Sequence, residues 1–205
     1  MKIRLMLALL SALFVTTSIH AQPPGWYGHP AGPRAQPGAG PAKQAAETLR
    51  QGIDKMQEFL GQEEKPNRLQ TAAFLDREIA PYFDFDYMAQ WVAGPAYARM
   101  DDKAKEALAA KVEASFLGTL AKQLASYEGQ QLRLLRPRHG PRGSVNVRVA
   151  VLRHGSYPGK LEFRMYQSTD GWKVYDVYAN GRSVSSYYRQ QFQRSATSRA
   201  DGDQR

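Results

Sequence analysis

The hydrophobic pattern changes period at Gln130, and that change constrains the fold more than any other feature of the chain. Before it, apolar residues recur every three or four positions, the spacing of one helix face. After it they alternate, the spacing of a strand with one side buried. Ala46, Leu49, Ile53, Met56 and Leu60 form a first helical stripe. Pro66 and Asn67 restart the chain, and Asn67 with Gln70 has the form of a capping box. Ala72, Leu75, Ile79 and Tyr82 continue the inner stripe, and Pro81 bends or ends that helix. Asp84 is placed to cap a third helix with Phe85, Met88 and Val92 on one side, closed by Gly94-Pro95. The longest helix starts near Asp101 and carries Leu108, Val112, Phe116, Leu120, Leu124 and Tyr127 on one face.

Beyond Gln130, Leu132 and Leu134 open the strand pattern. Val145, Val147, Val149 and Val151 alternate with Asn146, Arg148, Ala150 and Leu152. Leu161, Phe163 and Met165 alternate with Glu162, Arg164 and Tyr166. Trp172, Val174, Asp176 and Tyr178 alternate with Lys173, Tyr175, Val177 and Ala179. The turns between them are too short for crossover helices, so the spacing predicts four strands in a mostly antiparallel sheet. A last helix after Gly181 turns Val184, Tyr188 and Phe192 inward, with Ser183 as its cap. Helices, then strands, then a helix imply an α+β domain with a helical layer on one sheet face. Several strands carry large apolar residues on both faces, which a single helical layer covers only if the sheet curls. The pattern therefore predicts a curved sheet, and a curled sheet with helices across its mouth encloses a cavity, although a stripe of this kind is more often core than pocket. A solid core uses the same residue types.

The ends of the chain say where such a domain works. Lys2 and Arg4 precede the apolar run Leu5 to Val15, and the small residue Ala21 follows. That order is a secretory signal peptide over 1–21, and the run is short for a membrane span. Residues 22–42 hold six Pro and five Gly, the composition of a flexible leader. The expected domain is 43–196, followed by a polar tail at 197–205. The chain has no cysteine, which removes disulfides, thiolate metal sites and a lipidated N-terminal Cys. The expected compartment is the periplasm.

Charge is unevenly placed. Lys43 to Glu128 holds eleven basic and fourteen acidic residues, whereas Gly129 to Lys173 holds nine basic and two acidic. The strand region therefore carries the positive field, which suits anionic partners such as lipid headgroups or acidic protein surfaces. An exported protein has little occasion to meet nucleic acid, so none is expected as a partner.

Catalytic signals are sparse. No GxSxG, HExxH, phosphate-binding Gly-rich loop or dinucleotide fingerprint occurs. His139 and His154 flank the Val145 strand without a third metal ligand in view. Asp84, Asp86 and Asp176 lie beside aromatics. Asp176 with Tyr175 or Tyr178 is the best acid–base pair, but helix capping or an Arg partner on a neighbouring strand is the stronger explanation of these carboxylates.

Three stretches carry a family resemblance: IAPYFDFDYMAQWVAG from Ile79 to Gly94, the long amphipathic helix KAKEALAAKVEASFLGTLAKQLASY, and DGWKVYDVYANGRSVSSYYRQQF from Asp170 to Phe192. In this order they resemble the MlaC or toluene-tolerance family of periplasmic phospholipid-binding proteins. The resemblance spans about Ala45 to Ser195. It implies an NTF2-like sheet and a deep apolar pocket for acyl chains. It also implies a carrier rather than an enzyme, with no cofactor. Its implied partners are an inner-membrane ABC transporter complex with a lipid-binding substrate domain and an outer-membrane lipoprotein complex. The pocket positions it implies here are Phe83, Phe85, Met88, Val92, Phe116, Leu120, Val149, Val151, Phe163, Met165, Val174 and Val177. Arg133, Arg148 and Arg164 are the candidates for headgroup or partner contact. An NTF2-like enzyme, a carrier of another amphiphile such as a hopanoid, and a solid-cored interaction module are the alternatives.

Overall fold

The computed structural model describes residues 40–152, 155 and 157–202, with side chains as far as Arg194. The expected signal peptide, most of the expected leader and His154 lie outside the described residues. Helix α1, Pro41–Leu60, starts two residues inside the stretch assigned to the leader. Pro41 is at home there, because the first turn of a helix has no use for its missing N–H. Ala45, Leu49 and Ile53 are its buried residues.

Asn67 and Gln70 form the expected capping box at the start of α2, Arg68–Phe74. The chain continues through a wide π-helical turn, Leu75–Ile79, and a 3-10 turn, Ala80–Tyr82, that contains Pro81. The buried residues here are Thr71, Phe74, Leu75, Ile79 and Ala80, and Ala72 is exposed. Leu75 and Ile79 of the expected stripe are thus buried, and Thr71 and Phe74 replace Ala72.

Asp84 caps α3, Phe85–Ala93, by accepting from the Tyr87 amide at 2.8 Å. Helix α4, Asp102–Ala125, is capped by Asp101 and buries Leu108, Ala109, Val112 and Phe116. Helix α5, Val184–Gly202, is the last described element.

The sheet has six antiparallel strands: β1 Gln131–Leu134, β2 Arg138–His139, β3 Val145–Leu152, β4 Gly159–Ser168, β5 Gly171–Ala179 and β6 Arg182–Ser183. Their order is β1-β3-β4-β5-β6, with β2 also beside β3. This corrects the expected curved, NTF2-like sheet: the path is open, and β1 and β6 stand at separate edges. Closure needs long, staggered margins that can pair with each other. Here the margins are a four-residue and a two-residue strand, each carrying an arginine, Arg133 and Arg182. Asn180 and Gly181 make the tight turn between β5 and β6 with φ of 49° and 82°, the left-handed pair that an Asn-Gly hairpin supplies.

Register fixes the faces. Val145, Val147, Val149 and Val151 stand opposite Met165, Phe163, Leu161 and Gly159. A bulge opposite Arg164 and Met165 leaves Tyr175 as the extra residue of β5. The bulge shifts parity along β5, so Val174 and Val177 face the same side. The helices pack on that side, and the core runs from Ala45 and Leu49 through Met88, Val92 and Val112 to Val147, Met165 and Val174.

Candidate functional site

One end of the helix–sheet interface is hollow. A cavity of about 540 Å³ lies between α1, α4 and α5 and the inner face of β1, β3, β4 and β5. That volume is within the range of small-molecule sites. Its inner part is lined by Phe83, Phe116, Val174 and Val177, all buried or half-buried. Met56, Leu60, Leu120, Leu124, Leu132, Val151, Leu161 and Phe163 extend the apolar wall. Gln123, Ser126, Lys160 and Asn180 are lining residues exposed to solvent, so they mark the open end. Among the described residues the lining contains no carboxylate, and Lys160 is its one cation. The backbone there is fixed: the Asn180 amide donates to the Lys160 carbonyl at 2.9 Å, and Asn180 Oδ1 accepts from the Lys160 amide at 3.2 Å.

Of the positions expected around a pocket, Phe83, Phe116, Leu120, Val151, Phe163, Val174 and Val177 line this cavity. Phe85, Met88, Val92, Val149 and Met165 do not: they are packed into the solid core. Arg133, Arg148 and Arg164 do not approach the cavity. Their partners in register are Ala150, Glu162 and Asp176, which belong to the opposite sheet face. Sequence reasoning missed Lys160, Gln123, Tyr127 and Tyr82. The signal for Lys160 was its place beside Gly159 at the start of a strand, where a side chain reaches the rim.

Phe83 is held against the sheet by backbone pairing. It bridges Val174, and the Asp84 amide donates to the Val174 carbonyl at 2.9 Å. Lys173 Nζ donates to the Pro81 carbonyl at 2.7 Å. The Tyr166 hydroxyl donates to Asp84 Oδ2 while Oδ1 caps α3. Burial, then the hydrogen bond to the Asp84 carboxylate, pushes the Tyr166 phenol up to about 12. Phe83 also stacks on Phe85 and tilts against Phe116, with centroids 5.7 and 4.7 Å apart.

Asp176, the best sequence candidate for a base, is absorbed by structure. Oδ1 accepts from the amides of Val177 and Ser185, and Oδ2 accepts from the Ser183 hydroxyl at 2.7 Å. Ser183 Oγ in turn accepts from the Ser186 amide, so both side chains cap α5. A larger groove of about 1040 Å³ runs between α2 and α4. Lys65, Arg68, Asp76 and Lys122 line it among small residues, so it is an exterior groove of mixed polarity rather than an apolar chamber.

A family model described as MlaC protein matches residues 50–202. No curated protein matches the chain. Among solved structures, the phospholipid-binding protein from Ralstonia solanacearum, solved in complex with a phospholipid, is similar with a TM-score of 0.68 and 24% identity. The match covers 77% of this chain and 89% of that one, and it establishes the shared fold.

Proposed function

The chain belongs to the MlaC family and is a periplasmic lipid carrier, and from that premise we propose that the cavity between helices and sheet is the chamber for the lipid tails. The observation that carries this reading is the sorting of the described lining: apolar and uncharged inside, polar with Lys160 at the open end. Acyl chains inside and a headgroup outside match that gradient. Burial of each CH₂ contributes roughly 0.8 kcal/mol, so tails alone supply firm but reversible binding.

The proposed ligand is a phospholipid, the class bound by the Ralstonia solanacearum relative. Its phosphate would rest near Lys160, because Arg133, Arg148 and Arg164 stand on the far face of the sheet. In this reading the carrier shuttles between an outer-membrane lipoprotein complex and an inner-membrane ABC transporter complex. Tails pass from one apolar site to the next without crossing water.

The test is to purify the exported protein from the periplasm, extract it with organic solvent and quantify ligand by native and lipid mass spectrometry. About one phospholipid per chain is the expected result. Another stoichiometric amphiphile, such as a hopanoid, would keep the chamber and replace the ligand. An empty protein that takes up no added phospholipid would overturn the reading.

A further inference from the structure

The sheet face turned away from the helices carries an arginine cluster that the lipid chamber does not use. Register places Arg133 beside Ala150, Arg138 beside Asn146, Arg148 beside Glu162, and Asn146 beside Arg164. Four guanidinium groups therefore share one face across β1, β2, β3 and β4. The acids in register with them are Glu162 and Asp176, and Asp176 is consumed in capping α5. Glu162 Oε1 is 3.8 Å from Arg164 Nε, an ion pair beyond hydrogen-bond reach. No ion pair holds Arg133, Arg138 or Arg148 among the described residues.

Two of these arginines each have one buried nitrogen without a partner. Arg148 Nε, Arg164 Nε and the adjoining Asn146 Oδ1 are shielded from solvent and lack a hydrogen-bond partner. The Arg164 guanidinium lies over the Tyr178 ring, 4.2 Å from its centroid. Held guanidinium forks favour discrete carboxylates, because less side-chain freedom is lost on binding. A lipid bilayer would instead be met by protruding, mobile lysines. The exposed cations Arg133 and Arg138 stand beside the fixed pair and extend the positive field.

We propose that this arginine-bearing outer sheet face is the docking surface for an acidic protein surface on the membrane complexes that exchange lipid with the carrier. The inference rests on the carrier reading above. The partner surface would present Asp and Glu side chains at strand-like spacing, about 7 Å apart along the strands and about 5 Å across them. Chamber and docking face would then lie on opposite sides of one sheet, so docking leaves the ligand undisturbed until the helices move.

The test uses the full exported chain with its bound lipid. Binding is measured to the purified inner-membrane transporter complex and to the purified outer-membrane lipoprotein complex, at 50 and 300 mM NaCl, and to vesicles containing phosphatidylglycerol. Arg148→Glu with Arg164→Glu is expected to weaken binding to at least one complex by about tenfold or more, and salt to weaken the parent. The exposed pair Arg133→Glu and Arg138→Glu, which leaves the shielded arginines intact, should weaken it in the same direction. Native mass spectrometry must show bound lipid unchanged in both variants. Undiminished binding by both variants overturns the proposal. Binding only to vesicles, lost on charge reversal, overturns it in favour of a membrane surface. A lipid-loaded parent that binds neither complex also overturns it while leaving the lipid-binding reading intact.

Discussion

Val147 and Phe163 face each other in register on β3 and β4, yet they border different interiors. Val147 is fully buried among Val145, Val149, Met165 and Val174, whereas Phe163 looks into the cavity with Val151, Leu161 and Leu132. Both belong to one apolar stripe. What differs is the layer opposite. At the solid end the core holds Ala45, Ala89 and Ala93, small residues that let neighbouring backbones approach closely. At the hollow end α1 presents Met56 and Leu60, α4 presents Leu120 and Leu124, and α5 presents Val184 and Tyr188 around an unfilled space. An apolar stripe therefore records which side turns inward. It does not record whether that side is filled.

The comparison breaks most sharply at Met165, which is fully buried in the solid end. Met165→Ala leaves a void there, and the expected cost is about 2–5 kcal/mol in urea unfolding. Lipid bound per folded chain should stay at the parent level. A loss under about 1 kcal/mol would mean that the solid end relaxes as the hollow end does.

Val151→Trp sharpens the contrast from the other side. Val151 lines the cavity and is only half-buried, so a larger ring enters existing space rather than a packed core. Stability should move by less than about 1 kcal/mol. Lipid recovered with the purified protein should fall several-fold by mass spectrometry. Full occupancy in this variant would place the tails elsewhere.

Much of this contrast lay beyond the sequence, for identifiable reasons. Local chemistry was legible: the Asn67–Gln70 capping box, the Asp84 and Asp101 caps, and the Val184, Tyr188 and Phe192 face of α5 all stand where spacing puts them. Alternation also placed Arg148 opposite in direction to Val147 and Val149, which argues against a headgroup role at the chamber. Three features were not legible. The bulge at Tyr175 brings Val174 and Val177 to one face, and strict alternation separates them. Burial falls on Phe74 rather than Ala72 ahead of the π turn at Leu75–Ile79. The open sheet follows from short edge strands, and two-residue strands such as β2 and β6 leave no periodic trace.

The smallest expected effect tests how the two interiors are joined. Phe83 belongs to both, because it lines the cavity and stacks on the core residue Phe85. Its position depends on the strand-like pairing with Val174 and on Asp84, which Tyr166 holds from the outer face. The Tyr166 phenol is raised to about 12, above the ordinary tyrosine value near 10. The folded state thus keeps that proton more tightly than the unfolded chain. Its contribution is complete below about pH 10 and is lost as pH climbs through about 12. Tyr166→Phe removes the contribution and the titration together. Urea midpoints of parent and variant should differ modestly at pH 8, and the gap should narrow steadily from pH 10 to 12. A gap that stays constant across that range would detach Tyr166 from the Asp84 hinge. The seating of Phe83 would then rest on backbone pairing with β5 alone.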